Sequence, residues 1–314
     1  MDAPLVIVRS LVYNHEPYLR QCLDGFVMQK TNFKFEVHVH DDASTDRSQE
    51  IILEYAEKFP DIIKPFIEEE NQYSKGLDGV WKWGELNSKY VAICEGDDYW
   101  TDPFKLQKQV DYLESHPECG LVYSSAQQFF QETGEFKDGW AAQTDFEDLL
   151  TSSNKIMTLC TMFRKDIYLK YVEEIEKQNN WPMGDYPLWL YLSKHSKIHF
   201  INEVMGAYRV LKDSASHSPV VNKMKSFLLG VYDVRCYFAN RYGYQHLLKH
   251  FAKTTISDLF RLSVQRDTNL SVFLFRFARE KGVLSFNVLA KCILYSTRVG
   301  RYYHRKKYPD SYIM

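Results

Sequence analysis

The sequence predicts an α/β fold: a mostly parallel sheet with helices on both faces, extended at its C-terminal end by helices alone. Three observations carry that expectation. Short apolar runs alternate with segments of helical periodicity through the first two thirds of the chain, the order that builds a parallel sheet covered on both sides. Polar and acidic residues stand directly after several of these runs, at Tyr13-Asn14, Asp41-Asp42 and Glu95-Gly96-Asp97-Asp98. From about Val221 onward only helical periodicity remains.

Leu5-Val6-Ile7-Val8 is an unbroken apolar run, as expected of a strand buried on both faces, with Leu11-Val12-Tyr13 as its continuation past Arg9. Asn14 is the predicted N-cap of a first helix, with Pro17 in its first turn and Leu19, Cys22, Leu23, Phe26 and Val27 at helical spacing. Phe33 to His40 alternates and predicts a second strand, ending at Asp41-Asp42. Ser44-Thr45-Asp46 starts a second helix whose apolar positions are Ile51, Ile52, Tyr55 and Ala56. The third strand, Ile62 to Ile67, contains Pro65, which lacks a ladder N–H and so predicts an edge or an end. Lys89 to Cys94 reads as a buried strand, and Thr101-Asp102-Pro103 opens a helix with Leu106, Val110 and Leu113. Further strands are expected at Leu121 to Phe130, Thr158 to Phe163, Ile198 to Ile201 and Met205 to Leu211, with helices from Asp166 to about Gln178 and from Asp185. The boundary falls near residue 220, giving an α/β domain over 1–220 and a helical region over 221–314.

Composition narrows the function classes. Hydrophobic content of 45% and charged content of 25% suit a globular chain with a full core. The formal net charge of -2 gives no global basic field, so no nucleic-acid partner is expected. Cys22, Cys94, Cys119, Cys160, Cys236 and Cys292 show no metal-like spacing and point to a reducing compartment. Met1-Asp2-Ala3-Pro4 lacks the basic start of a signal peptide, and no run of about eighteen uncharged apolar residues occurs. The expected location is the cytoplasm. The stretch Lys291 to Tyr308 carries Lys291, Arg298, Arg301, Arg305, Lys306 and Lys307, has no acidic residue, and interleaves Ile293, Leu294, Tyr295, Tyr302 and Tyr303. Two readings stay open for it: peripheral contact with an anionic membrane surface, or a helix packed on the protein with a solvated basic end.

In open α/β sheets, ligands bind outside the carboxyl ends of the strands, and right-handed crossovers put those ends on one side. Tyr13, Asp42 and the Asp97-Asp98 pair are therefore expected to converge. Glu95, Asp97 and Asp98 suit a hard divalent cation that bridges substrate phosphates; the competing reading is an acidic turn with Asp102 as a helix cap. Asp42 can accept a hydrogen bond from a base imide or ribose hydroxyl, or it belongs to a capped helix start. Tyr13 can stack on a nucleobase or serve as core or rim. Asp185 opens a helix and is either an N-cap or a general base on a hydroxyl. Tyr208-Arg209 with Ser214, Ser216 and His217 is either a set of donors for a departing diphosphate or a polar surface loop. His38 and His40 share one strand face and read as structural. No Ser-His-Asp nucleophile, Cys/His zinc site or Gly-rich phosphate loop is evident.

Taken in order, these motifs resemble the family 2 inverting glycosyltransferases with the GT-A fold, most of all the bacterial members that build surface polysaccharides. The matching pieces are Tyr13-Asn14-His15-Glu16, Met28-Gln29-Lys30-Thr31, His40-Asp41-Asp42-Ala43-Ser44-Thr45-Asp46 and the stretch Glu69 to Gly76 that contains Lys75. Glu95-Gly96-Asp97-Asp98-Tyr99-Trp100-Thr101-Asp102-Pro103, Gly184-Asp185-Tyr186-Pro187-Leu188-Trp189-Leu190 and Tyr208-Arg209-Val210 complete the set. The resemblance covers roughly residues 3–218. Two departures stand out: Leu11-Val12 occupy a place where the family commonly has Pro-Thr, and Leu211-Lys212-Asp213 follow Tyr208-Arg209 where a His often stands.

The resemblance implies a role for each residue. Asp42 contacts the donor nucleobase and Tyr13 stacks near it. Asp97 lies at the ribose and diphosphate, Asp98 coordinates Mn2+ or Mg2+, and Glu95 is nearby. Lys75 belongs to the nucleotide-sugar site. Asp185 holds the place of the base that deprotonates the acceptor, and Arg209, Ser214 and His217 lie where the family closes over the diphosphate. The expected activity is transfer of a sugar, with inversion, from a UDP-sugar to a hydroxyl of a glycan or lipid-linked acceptor. Two alternatives remain. A sugar-phosphate nucleotidyltransferase would need a basic triphosphate loop near Tyr13, and a non-catalytic nucleotide-sugar binder is separated only by turnover.

Overall fold

A computed structural model describes residues 3–72, 87–175, 181–211 and 220–307. Three of the predicted binding residues, Lys75, Ser214 and His217, lie outside these ranges. The chain divides into two compact units. One is drawn from Met1–Leu149, Ser153–Asn180 and Leu188–Val210, the other from Leu150–Ser152, Trp181–Pro187 and Leu211–Met314.

The first unit is built on a mixed sheet. Strands β1 (Val6–Val12), β2 (Phe35–Asp41), β3 (Ile63–Ile67) and β4 (Tyr90–Ile93) run parallel in the order β3-β2-β1-β4. The apolar runs that predict them are the buried residues of this half: Val6, Val8, Val37, Val39 and Ala92 belong to one core. Strand β3 lies at the edge, as Pro65 requires. The sheet continues through β8 (Thr161–Arg164), β6 (Cys119–Phe130), β9 (Lys197–Val210) and β5 (Tyr99–Trp100), with β7 (Glu135–Lys137) paired to β6. β6 and β9 are parallel; the other joins in this half are antiparallel. Helices α1 (Glu16–Val27), α2 (Ser48–Lys58) and α3 (Lys105–Ser115) close over the sheet with Leu19, Leu23 and Phe26, Ile51 and Ile52, and Leu106, Val110 and Leu113. These are the positions helical spacing selects. Short helices α4 (Phe146–Thr151) and α5 (Lys165–Glu174) precede α6 (Asp185–His195).

Several boundaries differ from those read in the sequence. Asn14 does not cap α1. It sits at φ 56, in the left-handed region that Asn tolerates, and the helix follows His15 without a side-chain cap. Ser44, Thr45 and Asp46 form a turn rather than a helix start, because Asp46 Oδ1 accepts the Ser48 N–H at 2.9 Å and α2 opens there. The two strands expected across residues 198–211 are one long strand. Its register against β6 slips where Ser124 pairs with Ile201 but Ser125 with Val204, so Asn202 and Glu203 are accommodated as a bulge. Thr158–Cys160 is a turn of 3-10 helix leading into β8.

The second unit is helical: α7 (Val221–Tyr242), α8 (Leu248–Gln265), α9 (Ser271–Glu280), α10 (Phe286–Ser296) and α11 (Arg298–Lys307). Val234, Phe238, Phe251, Leu259 and Leu274 are fully buried. Gly243, at φ 85, ends α7 in the left-handed conformation that a side chain would oppose. Asp267, after α8, pairs with Arg298 at 2.8 Å and Arg301 at 2.9 Å and so ties α11 to the end of α8. No described helix is long and apolar enough to cross a membrane.

Candidate active site

The carboxyl ends of β1, β2 and β4 lie side by side, since β1 pairs in parallel with both neighbours. The turns that follow are bound to one another. The Asp42 N–H donates to the Val12 carbonyl at 2.9 Å, and the Gly96 N–H to the Leu11 carbonyl at 2.8 Å. Asn14 donates its N–H to Ser44 Oγ at 2.9 Å, and its Oδ1 accepts the Thr45 N–H at 2.8 Å. Gly96 is needed where it stands: a Cβ there would lie 2.8 Å from Val12 Cγ2 and 2.9 Å from His15 Nδ1. Tyr13, Asp42, Glu95, Asp97 and Asp98 are thereby gathered on one sheet edge.

Their environments differ. Tyr13 is 47% exposed. Asp42 is buried, and its Oδ1 accepts the Gln72 N–H at 2.6 Å. Asp41 is fully buried and structural, accepting from the Ser44 N–H and Gln49 Nε2. Asp98 is 4% exposed, with Oδ1 accepting the Arg209 N–H at 2.7 Å. Burial, reinforced by the charges of Asp97 and Glu95, pushes its carboxyl well above the usual carboxylate range. Asp97 and Glu95 are only partly buried, so Asp97 is the more accessible acid of the pair. Asp102 does not cap α3, which follows Phe104 without a side-chain cap; its carboxylate accepts the Phe104 N–H at 2.8 Å in the preceding turn and pairs with Lys108.

Sequence places Arg209 at the diphosphate; the structure turns its guanidinium inward. The residue is 3% exposed. Its Nε donates to the Asp97 carbonyl at 2.7 Å, one terminal nitrogen to Gln21 Oε1 at 2.7 Å, and the other to Gln131. The guanidinium lies about the rings of Tyr18, Phe129 and Tyr99 at 4.8, 5.2 and 5.3 Å. With these donors committed to protein acceptors, Arg209 holds the Asp97-Asp98 turn. Gln21 and Gln131 were illegible as partners, lying far from residue 209 in sequence. His15 is a second residue the motif contains without revealing its place. Its Nδ1 is buried without a hydrogen-bond partner among the described residues, and burial lowers its pKa against the pull of Asp97, Asp46 and Asp41.

Among the described residues, no group of three or more His, Cys, Asp and Glu side chains is arranged to hold a metal ion. The acidic turn nevertheless fits a hard divalent cation of the kind that keeps one or two carboxylates and takes its remaining ligands from phosphate and water. Burial and the nearby acids oppose a charge on Asp98, an opposition that a cation would relieve, and the accessible donors are carboxylate oxygens.

Asp185 is the first residue of α6 and is partly exposed; its Oδ1 accepts the Tyr186 N–H at 2.7 Å. It belongs to Trp181–Pro187, the segment that packs in the helical unit.

A family model described as glycosyl transferase family 2 matches residues 10–172, more than half of the chain. The chain belongs to glycosyl transferase family 2. An uncharacterised protein of Mycobacterium tuberculosis (strain H37Rv) is 32% identical over 226 residues, 69% of this chain and 62% of that protein. The chain thus matches less than two thirds of the length of that relative. An uncharacterised glycosyltransferase of Methanocaldococcus jannaschii is 26% identical, covering 80% of this chain and 83% of its own length. The amylovoran biosynthesis glycosyltransferase AmsE of Erwinia amylovora is 28% identical over 57% of this chain and 66% of its own. Among solved structures, Staphylococcus aureus TarS (residues 1–349) in complex with UDP superposes with a TM-score of 0.54 at 15% identity, covering 96% of this chain and 91% of that one. The mannosyltransferase PcManGT of Pyrobaculum calidifontis, in complex with GDP-Man and Mn2+, gives 0.53 at 14%, covering 99% and 89%. The fold of this family member is that of the GT-A glycosyltransferases, with C-terminal helices added.

Proposed function

We propose that the chain is an inverting glycosyltransferase that moves a sugar from a nucleotide-sugar donor, a UDP-sugar, to a hydroxyl of a glycan or lipid-linked acceptor in polysaccharide synthesis. The observation that carries this is the gathering of Tyr13, Asp42, Asp97 and Asp98 on one sheet edge, where α/β folds bind nucleotides. The complexes of TarS with UDP and of PcManGT with GDP-Man and Mn2+ support a nucleotide-sugar donor, and the name of AmsE supports a polysaccharide product.

Tyr13 offers its ring to the base and Asp42 accepts from its imide. Asp97 faces ribose and diphosphate. The Asp97-Asp98 turn would hold Mg2+ or Mn2+, which would compensate the charge of the diphosphate when bound. Asp98 is the ligand the sequence motif names; its burial makes Asp97 an equal candidate, and the single variants Asp97→Asn and Asp98→Asn separate them by Mn2+ affinity. Asp185 takes the acceptor proton as the hydroxyl attacks the anomeric carbon from the face opposite the leaving group. One displacement inverts the configuration and needs no enzyme nucleophile.

The test is direct. Purified protein is incubated with UDP- and GDP-sugars, Mn2+ and a glycan acceptor, and the anomer formed is read by NMR. An inverted product is expected; a retained anomer, or pyrophosphate release from a nucleoside triphosphate, overturns the proposal.

The basic C-terminal segment supports a membrane-surface contact as part of this function. Phe286 (82% exposed), Leu289 and Ile293 (65%) line the open side of α10, and Val299, Tyr302 and Tyr303 that of α11. Residues 281–307 hold no acid. Exposed apolar and aromatic side chains among cations suit an anionic bilayer surface. Flotation with anionic but not zwitterionic vesicles is expected; equal behaviour with both rejects the contact.

A further inference from the structure

We propose that Arg235 is a positioning residue for Asp185, and that α7 is the platform on which the acceptor side of the reaction is aligned. The proposal rests on the assignment of Asp185 as the base.

Before residue 211 the chain contributes two short stretches to the helical unit, Leu150–Ser152 and Trp181–Pro187. Both meet at one side chain. Arg235 Nε donates to the Tyr186 hydroxyl at 3.1 Å, and a terminal nitrogen donates to the Ser152 carbonyl. The guanidinium also lies 6.0 Å from the rings of Tyr186 and Phe251. Tyr186 is buried, and its own N–H is the donor to Asp185 Oδ1. One residue is thus fixed at both ends: its hydroxyl by Arg235, its amide by the carboxylate proposed to take the proton.

α7 grips the approach to Asp185 as well. A Cβ at Gly230 would stand 2.4 Å from Pro182 Cγ, so the helix backbone and the proline ring are in close contact there. Trp181 packs edge-on against Tyr237, centroids 5.3 Å apart. Packing alone would be served by Phe at 186 and an aliphatic residue at 235. Burying a hydroxyl and a guanidinium is costly unless each finds a partner, and what their pairing adds is direction. Direction matters for a base, since a misplacement of about 1 Å can cost about 100-fold in rate.

The test uses the full chain with Mn2+, a nucleotide-sugar that it turns over, and UDP as the probe of donor binding. Arg235→Met is expected to lower kcat by about 10- to 100-fold while donor KM and UDP affinity stay within twofold. Arg235→Lys should recover part of the loss, and Tyr186→Phe should reproduce it without lowering UDP affinity. Added to Asp185→Asn, Arg235→Met should cost little more, because it acts through Asp185. Unchanged kcat in Arg235→Met beside an impaired Asp185→Asn overturns the positioning role alone, as does a loss that multiplies in full on the Asp185→Asn background. Full turnover by Asp185→Asn removes the base itself and the proposal with it. Should Arg235→Met fail to fold, Tyr186→Phe decides: a normal kcat overturns the role, and a fall in kcat at unchanged Tm supports it.

Discussion

The donor edge and the Asp185 segment are held by different means. At the edge, the turns after β1, β2 and β4 are tied backbone to backbone, as in the Asp42 to Val12 and Gly96 to Leu11 bonds, and inherit their spacing from a parallel ladder. Asp185 stands on a segment whose neighbours on α7 are side chains and a glycine. A ladder tolerates change in any one side chain, because its register is set by many bonds.

Four substitutions test this contrast. Asp185→Asn should cut turnover by about 100- to 10,000-fold with UDP binding kept, whereas Asp97→Ala should lose both. Titration of UDP with Mn2+ beside steady-state kinetics would blur the contrast if the two variants behaved alike. Arg209→Met strips donors from the Asp97 carbonyl, Gln21 and Gln131 together, and should lower stability by about 2–4 kcal/mol in urea unfolding, with weakened donor binding. Lys105→Met should change stability alone. Lys105 is fully buried, bonded to Gln109 Oε1 at 2.8 Å and 4.1 Å from the Trp100 ring centroid. Burial lowers its pKa from 10.5 to about 8. Between those values this lysine is protonated in the unfolded chain and not in the native one, so its own contribution to stability should rise with pH from about 8 toward 10.5, by about 3 kcal/mol at most. Urea titrations across that range should show the stability of the parent rising relative to that of Lys105→Met, the buried tyrosines and cysteines contributing equally to both.

Much of the sheet was legible because its signals are local. Val6-Ile7-Val8 and Val91-Ala92 are apolar runs, and Pro65 marks an edge by its chemistry. The site was legible to the extent that residues follow strands: Tyr13, Asp42, Asp97 and Asp98 needed only the parallel rule to be brought together. Arg209 was not, because its role depends on Gln21, 188 positions away in sequence. Asn202 and Glu203 read as a break, since a bulge looks like a turn when the partner strand is unknown. The α7 contacts to Tyr186 and Pro182 had no sequence signal, for a glycine and an arginine on a helix are common.

Strand β3 has a consequence for how copies of this protein meet. The Ile62 carbonyl and the Glu68 N–H both point at β2, so by alternation the backbone of Pro65 faces away from the sheet. The proline therefore costs the native ladder nothing and removes a donor from the outer side. A strand from a second molecule that tried to extend the sheet here would find a gap at the middle of a five-residue edge, with Lys64 beside it. The edge is thus guarded against sheet-to-sheet pairing at its centre by one residue.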